Sequence, residues 1–256
     1  MISSSSARVA SATVAKTGVV IPVYGEDDSI CPLLGAFPRG LVDTICLVVD
    51  APDAQLMPRL REAALQARTR VHIIKNARRT GIGHSIRQGL EYLMTSGHAF
   101  VIIMAGNGKD DPREIRRLLD PLTSGESDYV QGSRYLLGGG SSNMPHTRVI
   151  FNRLYPFLWT LLVGRRCTDV TNGFRGYRME ILHDPKINLR QAWLDGYALE
   201  YYLHYKAIVL GYRVKEVPTI KSYPFGHEEG YSKIQPLKDW WPILSPLILL
   251  FFGVRR

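Results

Sequence analysis

The stretch "TICLVVD", residues 44–50, is an apolar run rich in β-branched residues and closed by an aspartate, the signature of a strand ending at a polar edge. Three more runs share that form: "GVVIPVY" (18–24), "RVHIIKN" (70–76) and "AFVIIMA" (99–105). Helical text separates them, in "PRLREAALQAR" (58–68) and "GIGHSIRQGLEYLMTSG" (81–97). In the second, Ile82, Ile86, Leu90 and Leu93 recur at helical spacing and Gly97 ends the run. Strand–helix alternation predicts an α/β fold with a mostly parallel central sheet and helices on both faces. Ligands of such sheets bind beyond the carboxyl ends of the strands. Glu26, Asp50, Arg78, Arg79 and the segment "MAGNGKDDP" (104–112) fall at those ends.

Beyond residue 127 the rhythm changes. "SDYVQGSRY" predicts one more strand, running into the Gly/Ser-rich loop "LLGGGSSNMP". A helix over "TRVIFNRLYPFLWTLLVG" with a kink before Pro156, a helix around "YALEYYLHYKAIVLG" and a strand at "RVKEVPT" follow. The expected organisation is a tail over 1–16, one domain over 17–239 and an apolar segment over 240–256.

Composition narrows the partners. The chain has 256 residues, 45% hydrophobic and 21% charged, with a formal charge of +9. That charge points to anionic partners, or to a basic surface with no special task. Between Arg134 and Arg178 stand seven arginines and one acid, Asp169. No module interleaving aromatic and basic residues suggests a nucleic-acid partner. Cys31, Cys46 and Cys167 show no metal spacing and read as free thiols of a reducing compartment. "MISSSSARVASATVAKT" lacks the apolar core of a secretory signal and reads as a disordered tail, with a transit peptide as the other reading. "WWPILSPLILLFFGV" (240–254) is too short for a bilayer span, and Pro242 and Pro246 interrupt its start. It reads as a segment lying in a membrane interface, or as a helix covering the core or a homo-oligomer contact.

Seven motifs, "VVIPVYGE", "LVVD", "GIGHSIRQGL", "NGKDDP", "QGSRY…GG", "TDVTNGFRGYR" and "EVPTIKSYPFGHEEGYSK", occur in the order seen in glycosyltransferase family 2. The chain resembles that family over about residues 17 to 240, and within it the dolichol- and polyprenyl-phosphate glycosyltransferases. The resemblance implies a GT-A fold, Rossmann-like, and transfer of a sugar from a nucleoside diphosphate with inversion at the anomeric carbon. It places Pro22, Val23, Tyr24, Glu26 and Asp50 at the nucleoside. It puts Arg79 and Gly81 of "RRTGIGHS" beside the phosphates, and Ser232 and Lys233 of "GYSK" on a loop that closes over the diphosphate. Asp50 also reads as a plain strand-end cap, and the glycine pair as a plain turn.

Relatives commonly read Asp-x-Asp-Gly-Gln-His-Asp-Pro where this chain has "AGNGKDDP". Ala105 and Asn107 replace the two metal-holding aspartates, and Lys109 the glutamine. Magnesium or manganese prefers carboxylate oxygens, so the cofactor expectation is open between none and an atypical ion. In one reading the Lys109 ammonium balances the leaving diphosphate directly. In the other, Asp110 or Asp111 with Asn107 recruits a metal in a shifted geometry. Asp111 also suits the cap of a helix opening at Pro112.

On the acceptor side the resemblance matches Arg134, and Arg148 with Asn152, to lipid-phosphate contacts, and Arg175 is a further candidate. A phosphate acceptor is already an anionic nucleophile. A hydroxyl would need a base, for which "WLDGYALE" offers Asp195, then Glu200, though both also read as helix-start acids. The leading expectation is a sugar transferase acting on polyprenyl phosphate, peripheral at the cytoplasmic membrane face. The alternatives are a soluble transferase to a small-molecule or saccharide hydroxyl, with Asp195 as base, and a non-catalytic nucleotide-sugar-binding protein.

Overall fold

The computed structural model describes residues 15–25, 29–142, 144, 146–223 and 240–255. Among them are nine strands: β1 (Lys16–Val23), β2 (Thr44–Asp50), β3 (Arg70–Asn76), β4 (His98–Ile103), β5 (Tyr129–Ser133), β6 (Gly140–Ser142), β7 (Arg175–Arg178), β8 (Val214–Pro218) and β9 (Ile220–Ser222). The helices are α1 (Ile30–Gly35), α2 (Leu56–Gln66), α3 (Ile82–Thr95), α4 (Ile115–Thr123), α5 (His146–Val163), α6 (Ala198–Val209) and α7 (Trp240–Phe251).

Seven strands form one sheet in the order β3-β2-β1-β4-β7-β5-β8. β1 to β4 pair in parallel, and so do β5 and β8. The period-two rule explains why β2 is apolar throughout. Ile45, Leu47 and Val49 enter one core with Phe37, Leu60, Ile115 and Leu118. Cys46 and Val48 enter the other, with Ile86, Leu90 and Leu93 of α3. Close packing of α3 uses glycine: a Cβ on Gly89 would meet Val20 Cγ1 at 2.5 Å.

Three elements differ from the expectations. The text "FRGYR" contains a strand, β7, inserted antiparallel between β4 and β5. α5 runs through Pro156, and α7 through Pro246. Leu247 and Leu250 of α7 are buried in the core, and the Tyr205 hydroxyl donates to the Leu250 carbonyl at 3.4 Å. α7 therefore covers the core, and its far end leaves Phe251, Phe252 and Val254 exposed. Among the described residues no helix is long and apolar enough to cross a membrane.

Candidate active site

The carboxyl ends of β1, β2 and β4 carry the polar residues that the sequence singles out. At the end of β2, buried Asp50 accepts from five donor groups. Its Oδ1 receives Asn76 Nδ2 at 2.8 Å, Thr80 Oγ1 at 2.9 Å and Ser85 Oγ at 3.1 Å. Its Oδ2 receives the amides of Thr80 at 2.8 Å and Gly81 at 3.1 Å. Burial alone would raise the Asp50 pKa, but the bonds from Asn76, Thr80 and Gly81 outweigh it and hold the pKa below the ordinary value. A carboxylate has about four lone-pair sites, so this one is filled from within the protein. These bonds are those of a strand-end cap, the other reading the sequence offered for this carboxylate.

The start of α3 is likewise closed by protein. The Gly83 and His84 amides donate to the Asp195 carbonyl at 2.9 and 3.1 Å. A Cβ on Gly81 would lie 2.4 Å from that oxygen, and one on Gly83 1.9 Å from the Leu194 carbonyl. The two glycines admit the backbone of residues 194–196. The Asp195 carboxylate is paired with Arg87 Nη2 at 2.7 Å, with His84 Nδ1 at 3.6 Å. The runner-up, Glu200, is enclosed beside Arg175.

Tyr24 and Arg79 do come together at the end of β1. The Arg79 guanidinium lies 4.6 Å above the Tyr24 ring, and both side chains are on the rim of the sheet edge. Val23 is buried in the core, so only its backbone can face a ligand, while Pro22 is half-buried. Glu26, Ser232 and Lys233 lie outside the described residues, as does the side chain of Arg148.

After β4 the chain turns through residues 104–111. Gly108 takes a φ of 69°, a left-handed conformation natural to glycine. Asn107 Oδ1 accepts the Lys109 amide at 3.3 Å. Lys109 is buried, with its ammonium 4.8 Å above the Tyr223 ring. Asp110 is buried too, and Lys221 Nζ donates to its Oδ1 at 2.7 Å. The same ammonium donates to Asn172 Oδ1 at 3.0 Å. Backbone contacts fix this arrangement, through an antiparallel bridge between Asp110 and Lys221 and a 2.9 Å bond from the Ser222 amide to the Lys109 carbonyl.

Asp111 caps the turn that begins at Pro112, accepting the Arg113 amide at 2.9 Å. The Arg113 side chain pairs with it at 2.6 Å and holds its carboxyl below the usual carboxylate range. These donors do not fit a divalent cation. Ala105 offers no side-chain oxygen, Asp110 is bound by an ammonium, Asp111 faces a guanidinium, and Lys109 adds positive charge. Among the described residues no cluster of three His, Cys, Asp or Glu side chains could hold a metal. The shifted metal geometry expected of Asn107, Asp110 and Asp111 finds no support in these pairings.

The arginine-rich half is paired internally more than its net charge suggests. Arg134 binds Asp169 through Nε at 2.6 Å and Nη2 at 2.7 Å, and Nη2 also reaches Thr171 Oγ1 at 2.7 Å. The Thr171 hydroxyl in turn donates to Asn152 Oδ1 at 3.0 Å. Two of the expected acceptor-side residues, Arg134 and Asn152, thus share one network. Arg175 stands apart from it. Its buried guanidinium donates to Tyr129 Oη and the Glu200 carbonyl at 3.0 Å and to the Asn172 carbonyl at 2.7 Å, with the Glu200 carboxylate 3.3 Å away. Its partners are those of a framework residue of β7.

Asp169, Asn172 and Lys221 are the site residues that sequence reasoning missed. Asp169 had a signal, as the lone acid among seven arginines. Lys221 had only its place inside the motif "EVPTIKSYPFGHEEGYSK".

Comparison with known proteins bears on this geometry. A family model described as Glycosyl transferase family 2 matches residues 18–184. Polyprenol monophosphomannose synthase from Mycolicibacterium smegmatis is 32% identical over 205 residues, covering 79% of this chain and 76% of that protein. Undecaprenyl-phosphate mannosyltransferase from Micrococcus luteus is 27% identical over 202 residues, covering 78% of this chain and 80% of that protein. Among solved structures, glucosyl-3-phosphoglycerate synthase from Mycobacterium tuberculosis in complex with phosphoglyceric acid superposes with a TM-score of 0.64 at 16% identity. That match covers 95% of this chain and 82% of the other.

Proposed function

The chain belongs to glycosyl transferase family 2 and is a nucleotide-sugar glycosyltransferase of GT-A fold, and from that premise we propose that it glycosylates a polyprenyl phosphate. The observation that carries this reading is the likeness over most of the chain to two enzymes named for mannosylating polyprenyl phosphates. In the proposed reaction an acceptor phosphate oxygen attacks C1 of the sugar. The bond from C1 to the diphosphate oxygen breaks, and the nucleoside diphosphate departs. A single displacement of this kind inverts the anomeric carbon. The nucleophile is already anionic, so no general base is required.

Repulsion between acceptor phosphate and donor diphosphate must then be screened by fixed positive charge. Lys109, at the edge of β4, is proposed to balance the leaving diphosphate without a divalent ion. Support comes from the pairing of Asp110 and Asp111 with cationic side chains. On the acceptor side, the network of Arg134, Thr171 and Asn152 offers a guanidinium held in fixed orientation by Asp169. The rim pair Tyr24 and Arg79 is proposed to face the nucleoside end of the donor.

The enzyme is further proposed to work peripherally at the cytoplasmic face of a membrane. Leu154, Phe157 and Leu161 of α5 are exposed at spacings of three and four residues, so they share one face of the helix. Phe251 ends the helix α7 that packs beside α5, exposed Phe252 and Val254 follow it, and Arg165 and Arg166 follow α5. An exposed apolar helix face followed in the chain by two exposed arginines suits an anionic bilayer surface.

The test is a panel of nucleotide sugars, mannose donors first, with and without polyprenyl phosphate, in chelator and in added metal. Product only with the lipid phosphate, surviving chelation and lost in Lys109→Ala, is the expected result. Product on hydroxyl acceptors overturns the acceptor, and full sensitivity to chelation overturns the role given to Lys109.

A further inference from the structure

The buried ammonium of Lys221 is unaccounted for by the sequence motifs of the site. It reaches the segment after β4 from β9, a three-residue strand paired with β6. Among the described residues its Nζ makes two hydrogen bonds, to Asp110 and Asn172. An ammonium has three N–H donors, so one is left for a ligand. Asp110 without Lys221 would present a buried carboxylate at the place where the proposed donor diphosphate must lie, and would call for a metal ion to neutralise it.

We infer that Lys221 is a tethered cation of the donor diphosphate site: it cancels the charge of Asp110, fills that carboxylate's place for a divalent ion, and offers its remaining N–H to the diphosphate. This rests on the donor reading given above and extends it to a residue from a separate part of the chain. The Lys109 and Lys221 ammonium groups are carried on segments joined by the bond from the Ser222 amide to the Lys109 carbonyl. Asn172 fixes the ammonium from the far side, and its own amide is fixed by donating to the Gly132 carbonyl and Thr219 Oγ1, each at 3.1 Å.

The pair predicts opposite behaviour for its two partners. Asp110→Asn keeps the ammonium and removes a negative charge, so inorganic diphosphate, UDP and GDP should bind at least as tightly in EDTA. Lys221→Met exposes a carboxylate to the anion and should weaken the same probes about tenfold or more in EDTA. It also frees Asp110, so added Mn2+ should recover binding in Lys221→Met and change little in the unaltered protein. Calorimetry on the full chain reads all of these. A purely structural pair would make both substitutions equally harmful and give no Mn2+ recovery.

Equal weakening by the two variants, unchanged binding in Lys221→Met, or binding to the unaltered protein only with Mn2+ would each overturn the assignment. Should Lys221→Met fail to fold, Asp110→Asn decides alone: weakened binding overturns the assignment, and retained or tighter binding supports it. If inorganic diphosphate follows the expected pattern while no nucleoside diphosphate binds, the donor reading fails and Lys221 keeps its role.

Discussion

Asp110 and Lys221 lie 111 positions apart in the chain, yet their side chains meet at 2.7 Å and their backbones form an antiparallel bridge. One contact thus ties the segment after β4 to β9, which itself pairs with β6 beside the Arg134 loop. The residues proposed for the donor and acceptor sides are held on one frame. Tyr223, the next residue but one after Lys221, lies beneath the Lys109 ammonium. The proposed chemistry and the fold therefore meet at a pair of charges, and disturbing either charge should be felt in both.

The pair's energetics follow from its burial. Removing one partner leaves the other charged and without compensation, at a cost of about 3–5 kcal/mol, whereas removing both can be nearly neutral. Lys221→Met is expected to lower unfolding free energy by that order, and the double variant Asp110→Asn/Lys221→Met to regain most of it. Urea unfolding of the single and double variants checks this. Additive losses would show that the two residues stabilise the fold independently.

Gly83 makes a second prediction, in which general propensity and local packing disagree. Exchanging a helical glycine for alanine usually gains about 1 kcal/mol. At Gly83 the added Cβ would lie 1.9 Å from one backbone oxygen and 2.4 Å from another, neither able to swing aside as a side chain can. Displacing residues 194–196 would also break the bonds from the Gly83 and His84 amides to the Asp195 carbonyl. Packing wins, and Gly83→Ala should destabilise by roughly 2–4 kcal/mol. Thermal unfolding decides the sign, and a stabilised variant would contradict the packing described.

Asp50 gives a pH dependence. Its folded pKa is depressed below the 3.8 of the free group, on balance by hydrogen bonds that overcome burial. The unfolded chain therefore binds the proton more readily. Asp50 contributes its full stability above about pH 4 and loses it as pH falls through the folded value. Asp50→Asn should cost about 2–3 kcal/mol at neutral pH, because the amide nitrogen cannot accept from Thr80 and Gly81. It should also flatten the acid end of the stability profile. Parallel acid limbs for the two proteins, followed by urea unfolding between pH 3 and 7, would count against this role.

The strands β1, β2 and β4 are legible because each is an apolar run buried on both faces, and the half-buried edge strand β3 because of its β-branched centre, patterns that need no knowledge of their partners. β7 is not, since "RGYR" holds two arginines, and burying Arg175 depends on Glu200 and Tyr129 from elsewhere in the fold. The same limit governs the site. The segment after β4 could be located by its place at a strand end, and Asp111 as a cap by the proline after it. That Asp110 meets a lysine, and that Asp50 is filled by Asn76, Thr80, Gly81 and Ser85, are facts of tertiary pairing. A carboxylate at a strand end reads alike whether a ligand or the protein completes it. The C-terminal run shows the converse: its apolar content was plain, but only the packing of Leu247 and Leu250 separates the covered part from the exposed end.

That exposed end and the outer face of α5 carry the last prediction. Leu154, Phe157 and Leu161 are 53%, 65% and 69% exposed, so exchanging them should cost the fold little. Full insertion of such a side chain into an apolar phase is worth about 1.5–3 kcal/mol. Phe157→Glu with Leu161→Glu should therefore cut partition onto anionic vesicles by tenfold or more, since a single factor of ten needs only about 1.4 kcal/mol. Unfolding free energy should stay within about 0.5 kcal/mol, as expected of surface exchanges. The arginines beside this face make a second demand, that binding to anionic vesicles weaken with added salt. Vesicle flotation reads both effects. A double variant that floats like the unaltered protein would remove α5 from the membrane contact and leave the three apolar side chains for another partner.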